Sequence, residues 1–148
     1  METHNSAHDA VVLVHGLWMN GLELTYLAKH LKRSGYTTHR FRYGSVSQTI
    51  DYNAAQLAQF CQSIKNSRIH LVGHSLGGLV ILRMFAQHPP MRFGRAVFIA
   101  TPFRGSSAAK SFNRYRLGNW MLGGSAQRGL LGNEPNLPPG MELGVIAG

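Results

Sequence analysis

A chain of 148 residues with 44% hydrophobic and 14% charged side chains is long enough to bury a core, too apolar for intrinsic disorder, and suited to one domain. Fifteen Lys and Arg against six Asp and Glu give a formal charge of +9, but the arginines are scattered from Arg33 to Arg128 rather than clustered, so nucleic acid is not the expected partner. Cys61 is the only cysteine, which excludes an internal disulfide, and no apolar run has the length of a membrane span.

The N-terminal stretch carries no basic region followed by an apolar one. No signal peptide is visible, and a cytoplasmic location is the expectation. His4 and His8 in this polar lead-in read as part of a frayed terminus rather than as a metal site. Ala10 to Val14 is a run of small and branched apolar residues, the composition of a strand buried on both faces of a parallel sheet. A loop from His15 to Gly21 follows. Leu22, Leu24, Leu27, Ala28 and Leu31 then recur at helical spacing, with Lys32 and Arg33 in the last turn and Gly35 as a stop signal. Tyr36 to Tyr43 alternates like a strand nearer the sheet edge. After a polar loop, Gly44 to Thr49, the positions Ile50, Ala54, Leu57, Ala58, Cys61 and Ile64 mark one face of a second helix, and Cys61 reads as core.

Residues 69–82 carry the densest signal. A short apolar run, Ile69 to Val72, is followed by Gly73-His74-Ser75-Leu76-Gly77 and then by a second uncharged run. This is the order strand, sharp turn, buried helix. Glycines on either side of Ser75 suit a strained turn in which backbone meets backbone and no Cβ fits. The helix beginning after Ser75 directs free backbone N–H groups at the apex, so negative charge developing there is stabilised. The stretch reads as a nucleophile elbow. Its helix runs to about Gln87, where His88-Pro89-Pro90 ends it, and Ala96 to Ala100 is another buried strand.

Strand and helix therefore alternate from residue 10 to residue 100. The pattern predicts an α/β fold, a mostly parallel sheet with helices on both faces and right-handed crossovers. Beyond Thr101 periodicity is lost. Residues 107–140 mix Gly, Pro, Asn and short apolar pieces, and read either as a cap-like or lid-like excursion or as a surface loop of little consequence. Leu143 to Ala147 is one more short strand.

Three motifs, Val11-Val12-Leu13-Val14-His15-Gly16-Leu17-Trp18, Val72-Gly73-His74-Ser75-Leu76-Gly77-Gly78 and Ala100-Thr101-Pro102-Phe103-Arg104-Gly105-Ser106, together resemble the serine lipase/esterase branch of the α/β-hydrolase superfamily over residues 10–107. The resemblance implies that Ser75 is the nucleophile attacking an ester carbonyl. It implies an oxyanion hole made of the backbone N–H groups of Leu17 and Leu76. It also implies a small-molecule apolar ester or lipid substrate and no cofactor or metal. His15 is expected to organise the oxyanion loop by hydrogen bonding rather than to act as base, His74 to pack or hydrogen-bond beside the turn, and His70 to be a satisfied core histidine. Trp18 lines an acyl pocket or packs under the loop. In an open parallel sheet the loops after Val14 and Val72 emerge side by side at the carboxyl ends if their strands are neighbours, which is where ligands bind.

The sequence departs from the family in one large respect. The superfamily orders its triad Ser, then Asp or Glu, then His. Downstream of Ser75 the only histidine is His88, no aspartate occurs, and Glu134 and Glu142 are the only acids. The expectation is therefore a domain truncated at its C-terminal side, carrying the nucleophile half of a longer enzyme, beginning at the strand equivalent to the third of the full fold, with local order 4-3-5-6 and a possible seventh. Such a chain has little turnover of its own. The alternative is a non-catalytic relative that keeps the pocket as a binding or scaffold protein. Strands missing at the carboxyl side would expose an edge through which the chain could self-associate.

Overall fold

The computed structural model describes residues 9–17, 19–66, 68–88, 92–101 and 137–146. Among these residues eight elements follow one another: β1 (Asp9–Val14), α1 (Thr25–Arg33), β2 (Thr37–Phe41), α2 (Ile50–Ser63), β3 (Arg68–His74), α3 (Leu76–Gln87), β4 (Phe93–Ile99) and β5 (Glu142–Ile146). The five strands form one sheet in the order β2-β1-β3-β4-β5, and every neighbouring pair is parallel. This is the order expected from the sequence, with the possible last strand present. Most of the segment read as a cap-like excursion, and with it Trp18, Glu134, His4 and His8, lies outside the described residues.

β1 shows why a strand of this composition sits in the middle. All six of its residues are buried, and its side chains alternate between two cores. Ala10, Val12 and Val14 join the larger one with α2 and α3 residues such as Leu57, Cys61, Leu79 and Ile81. Val11 and Leu13 face the smaller one with Leu24, Ala28 and Val72. Helices therefore cover both faces, as an all-parallel sheet requires. α1 ends as Gly35 foretold: Gly35 takes φ 94°, its N–H donates to Lys32 O at 3.0 Å, and the Tyr36 N–H reaches back to Leu31 O at 3.1 Å. The two bonds satisfy carbonyls that the end of a helix leaves open. α2 opens on Thr49, whose hydroxyl accepts the Tyr52 N–H at 3.2 Å, an N-cap within the segment read as a polar loop. An ion pair between Arg83 and Asp51, at 2.5 Å, joins α3 to α2.

The strands run beyond their expected bounds at three places, one of them the start of β4, which lies at Phe93 rather than Ala96. Asp9, read as part of the polar lead-in, is the first residue of β1 and is only 8% exposed. It is tolerated there because His70 Nε2 lies 3.2 Å from its carboxylate. The strand that carries Ser75 also runs longer than expected, through His74.

Cys61 sits in the larger core at 3% exposure, and burial pushes its thiol up from 9.0 to about 12. The folded chain then holds that proton at a pH where the unfolded chain has released it, so stability falls as pH rises past 9. Urea unfolding at pH 8 and pH 10 is expected to show a loss of about 1.4 kcal/mol from this group. The loss shrinks in Cys61→Ala, and the thiol resists disulfide reagents until the chain unfolds.

Candidate functional site

The site is built where β1, β3 and the first turn of α3 meet. Ser75 follows β3 with φ 50° and ψ −118°, a backbone conformation that costs a non-glycine residue on the order of 1–3 kcal/mol. It occupies the N-cap position of α3, yet its side chain makes no capping hydrogen bond, so the helix does not occupy the hydroxyl. The turn is held through the backbone instead. The Ser75 N–H donates to Ile99 O at 2.8 Å, and Ser75 O accepts the Gly78 N–H at 3.1 Å.

The glycines make the strained turn possible. A Cβ on Gly73 would lie 2.6 Å from Gly78 Cα and N, and one on Gly77 would overlap the Val14 carbonyl and stand 2.7 Å from His15 O. The end of β1 thus touches the start of α3 backbone to backbone. The register pairs Val14 with Gly73, so the loops after β1 and β3 emerge side by side. Gly16 brings the first of these loops against the turn, since a Cβ there would lie 3.3 Å from Ser75 Cβ and 3.1 Å from His74 Nδ1.

His15 orders that loop. It is 2% exposed; its Nδ1 lies 2.8 Å from Gly16 O, and its Nε2 accepts the Tyr43 N–H at 3.4 Å. An acceptor at Nε2 leaves the proton on Nδ1, which therefore donates to Gly16 O. The carbonyl of Gly16 and the N–H of Leu17 belong to one planar trans peptide and point in opposite directions. Pinning the carbonyl toward His15 turns the Leu17 N–H away from the imidazole. Leu76, the first residue of α3, has an N–H without a partner inside the helix, as every helix start does.

The remaining candidates lie elsewhere. His74 flanks the turn half-buried, with its Nδ1 unpartnered among the described residues. His70 is satisfied at both ring nitrogens, by Asp9 and by the Arg95 N–H at 2.9 Å, but it sits roughly 16 Å from Ser75, five residues back along β3. It lines a cleft of about 290 Å³ at the opposite end of the sheet together with Tyr36, Arg68 and Glu142. There Glu142 pairs with Arg95 at 2.5 Å. His88 closes the 12-residue α3, about 18 Å from the turn. Among the described residues, no histidine paired with a carboxylate stands beside Ser75.

Two contributors escaped the sequence reading. Tyr43 stacks on His15, ring centroids 4.3 Å apart, and its hydroxyl donates to His15 O at 2.7 Å. Burial, and next the Glu23 carboxylate, raise its pKa beyond the ordinary phenol range, so it stays a donor. Asn53, 1% exposed on α2, donates from Nδ2 to Gly44 O at 3.2 Å. In the sequence Tyr43 was one more aromatic at the end of a strand and Asn53 one polar residue on a helix; neither carried a motif.

A family model described as "Alpha/beta hydrolase family" matches residues 11–144. Among solved structures, a metagenomic carboxyl esterase is 23% identical with a TM-score of 0.72, the match covering 96% of this chain and 50% of that one. An extracellular alpha/beta-hydrolase from a Paenibacillus species is 25% identical with a TM-score of 0.56, covering 76% and 53%. A lipase-esterase related protein from Clostridium acetobutylicum is 20% identical with a TM-score of 0.58, covering 88% and 56%. The chain thus spans about half the length of the solved structures it matches. No curated protein matches it.

The backbone contact at Gly77 gives a direct test. Gly77→Ala drives a methyl group into the Val14 carbonyl, and neither backbone can retreat, so a loss of about 2–3 kcal/mol is expected in urea unfolding. Gly144→Ala is the control. Its Cβ would meet nothing closer than 3.5 Å, and the change is expected within about 0.5 kcal/mol.

Proposed function

The chain belongs to the alpha/beta hydrolase family, and from that premise we propose that it carries the nucleophile and oxyanion half of a serine ester hydrolase. Ser75 attacks the ester carbonyl, and an acyl-enzyme forms on its oxygen while the alcohol leaves. The backbone N–H groups of Leu17 and Leu76 receive the oxyanion. The observation that carries this reading is the strained backbone of Ser75 at φ 50° with Gly16 packed against it. That arrangement stores strain at one hydroxyl and brings a second loop beside it, which a structural turn has no need to do. Each preorganised donor is worth about 3 kcal/mol of transition-state stabilisation.

The substrate class we assign is a small apolar ester. Esterases among the structural neighbours support ester chemistry, and Leu17, partly buried against the larger core beside the turn, offers an apolar surface for an acyl chain. His15 is a loop organiser in this reading and not the base, because its Nδ1 is engaged by Gly16 O and its Nε2 by the Tyr43 N–H.

A second reading follows from the absence, among the described residues, of a histidine and carboxylate pair beside Ser75. Without a base a serine hydroxyl is a poor nucleophile, and loss of the triad histidine costs up to about a millionfold. In that case the same corner serves binding and not turnover.

Fluorophosphonate labelling followed by intact mass separates the two. The hydrolase reading predicts slow modification confined to Ser75, absent in Ser75→Ala, and accelerated by free imidazole, which supplies the proton acceptor from solution. Labelling that never reaches Ser75 in the folded chain, with or without imidazole, favours the binding reading.

A further inference from the structure

We infer that Tyr43 is the positioning residue that sets the direction of the Leu17 oxyanion donor, an inference that rests on the reading of Ser75 and Leu17 above. Tyr43 lies just past β2, on a different segment from the nucleophile and from the loop it acts on, and it holds that loop in two ways. Its hydroxyl donates to His15 O at 2.7 Å, which fixes the peptide plane between His15 and Gly16. Its backbone N–H donates to His15 Nε2 at 3.4 Å. That second bond fixes the tautomer of the imidazole, and the tautomer in turn makes Nδ1 the donor to Gly16 O at 2.8 Å, which fixes the plane between Gly16 and Leu17. One residue thereby sets two consecutive peptide planes of the loop.

A positioning residue must itself be held, and Tyr43 is anchored on several sides. Its ring lies against His15 with centroids 4.3 Å apart and an interplanar angle of 20°. Its other neighbour is Phe41, 5.7 Å away at 12°, and Phe41 packs on Phe60 of α2 at 5.4 Å. The backbone immediately after it is tied to the same helix, since Gly44 O accepts from Asn53 Nδ2 at 3.2 Å. The chain of contacts runs from α2 through Asn53 and Tyr43 to His15, Gly16 and the Leu17 N–H. Gly16 has no side chain to resist rotation of its two flanking peptides, and within the loop its carbonyl accepts only a long bond, from the Met19 N–H at 3.4 Å, so the shorter bonds of the His15 and Tyr43 side chains dominate the choice of orientation.

The alternative role for Tyr43 is packing alone. The two roles differ in what the hydroxyl does. Tyr43→Phe keeps the ring stack and the backbone N–H and deletes only the donor to His15 O. If Tyr43 positions the loop, this variant phosphonylates Ser75 about 10-fold more slowly at saturating probe in the presence of imidazole. The loss falls in the inactivation rate constant, with the probe's binding constant unchanged, because the donor acts on charge that develops in the transition state. The amide resonances of Gly16 and Leu17 shift. Tyr52→Phe, on an exposed face of α2, serves as control and changes none of these. An unaltered rate constant in Tyr43→Phe, with only a lower unfolding temperature, overturns the inference in favour of packing.

The nitrogen-15 shifts of the His15 ring decide the point independently of reactivity. The inference requires a proton on Nδ1 and an unprotonated, accepting Nε2, and a proton on Nε2 overturns it. A wild-type chain that never labels at Ser75 removes the nucleophile reading, while the ring-nitrogen pattern still supports or overturns the clamp.

Discussion

Ser75 can hold φ 50° and ψ −118° only because three chain segments meet at its turn with no side chains between them. Gly73 faces Gly78, Gly77 faces the Val14 and His15 carbonyls, and Gly16 faces Ser75 itself. Remove any of these contacts and the strand must separate from the helix by the thickness of a methyl group. The strain at Ser75 would then relax toward an ordinary turn. The rest of the molecule serves this corner. The fully buried β1 fixes the height at which the Val14 carbonyl meets α3, and the β3–β4 pairing places Ile99 O to receive the Ser75 N–H at 2.8 Å.

The sheet supplies rigidity where the corner needs it. β1 and β3 are central strands, and each is paired in parallel on both sides. Two cores of different size clamp them from opposite faces. At the far end of the same strands, the pair formed by Asp9 and His70 satisfies two polar groups at the margin of the core, and the Arg95 N–H completes it. The two ends of β3 therefore divide the work. One end stores strain at a hydroxyl, and the other closes its polar groups on one another.

Much of this was legible because glycine and periodicity are local signals. The Gly73-x-Ser75-x-Gly77 spacing between a short apolar run and a helix that opens without charge announced the turn, and Gly35 announced the end of α1. The parallel sheet followed from the alternation of elements, and its strand order from the family resemblance. The Tyr43 contacts were not legible, because they depend on the register of β2 beside β1, where Val14 pairs with Phe41 and carries Tyr43 to the level of His15. A sequence gives that register only once the strand ends are known, and the end of β2 was placed two residues late. Asp9 was missed for a related reason. Its partner His70 is 61 positions away, and a carboxylate ahead of an apolar run reads as solvated until that partner is found. After Ser75 the sequence holds one histidine, His88, and among the described residues no histidine paired with a carboxylate stands beside Ser75.

We propose that this corner of backbone presents Ser75, at φ 50°, to the N–H groups of Leu17 and Leu76. The most direct test is a crystal structure of the chain after phosphonylation of Ser75. The account predicts that the phosphoryl oxygen lies about 2.7–3.1 Å from both Leu17 N and Leu76 N, with Gly16 O still bonded to His15 Nδ1. A phosphoryl oxygen turned to solvent, or a Leu17 N–H rotated away from it, would contradict the account.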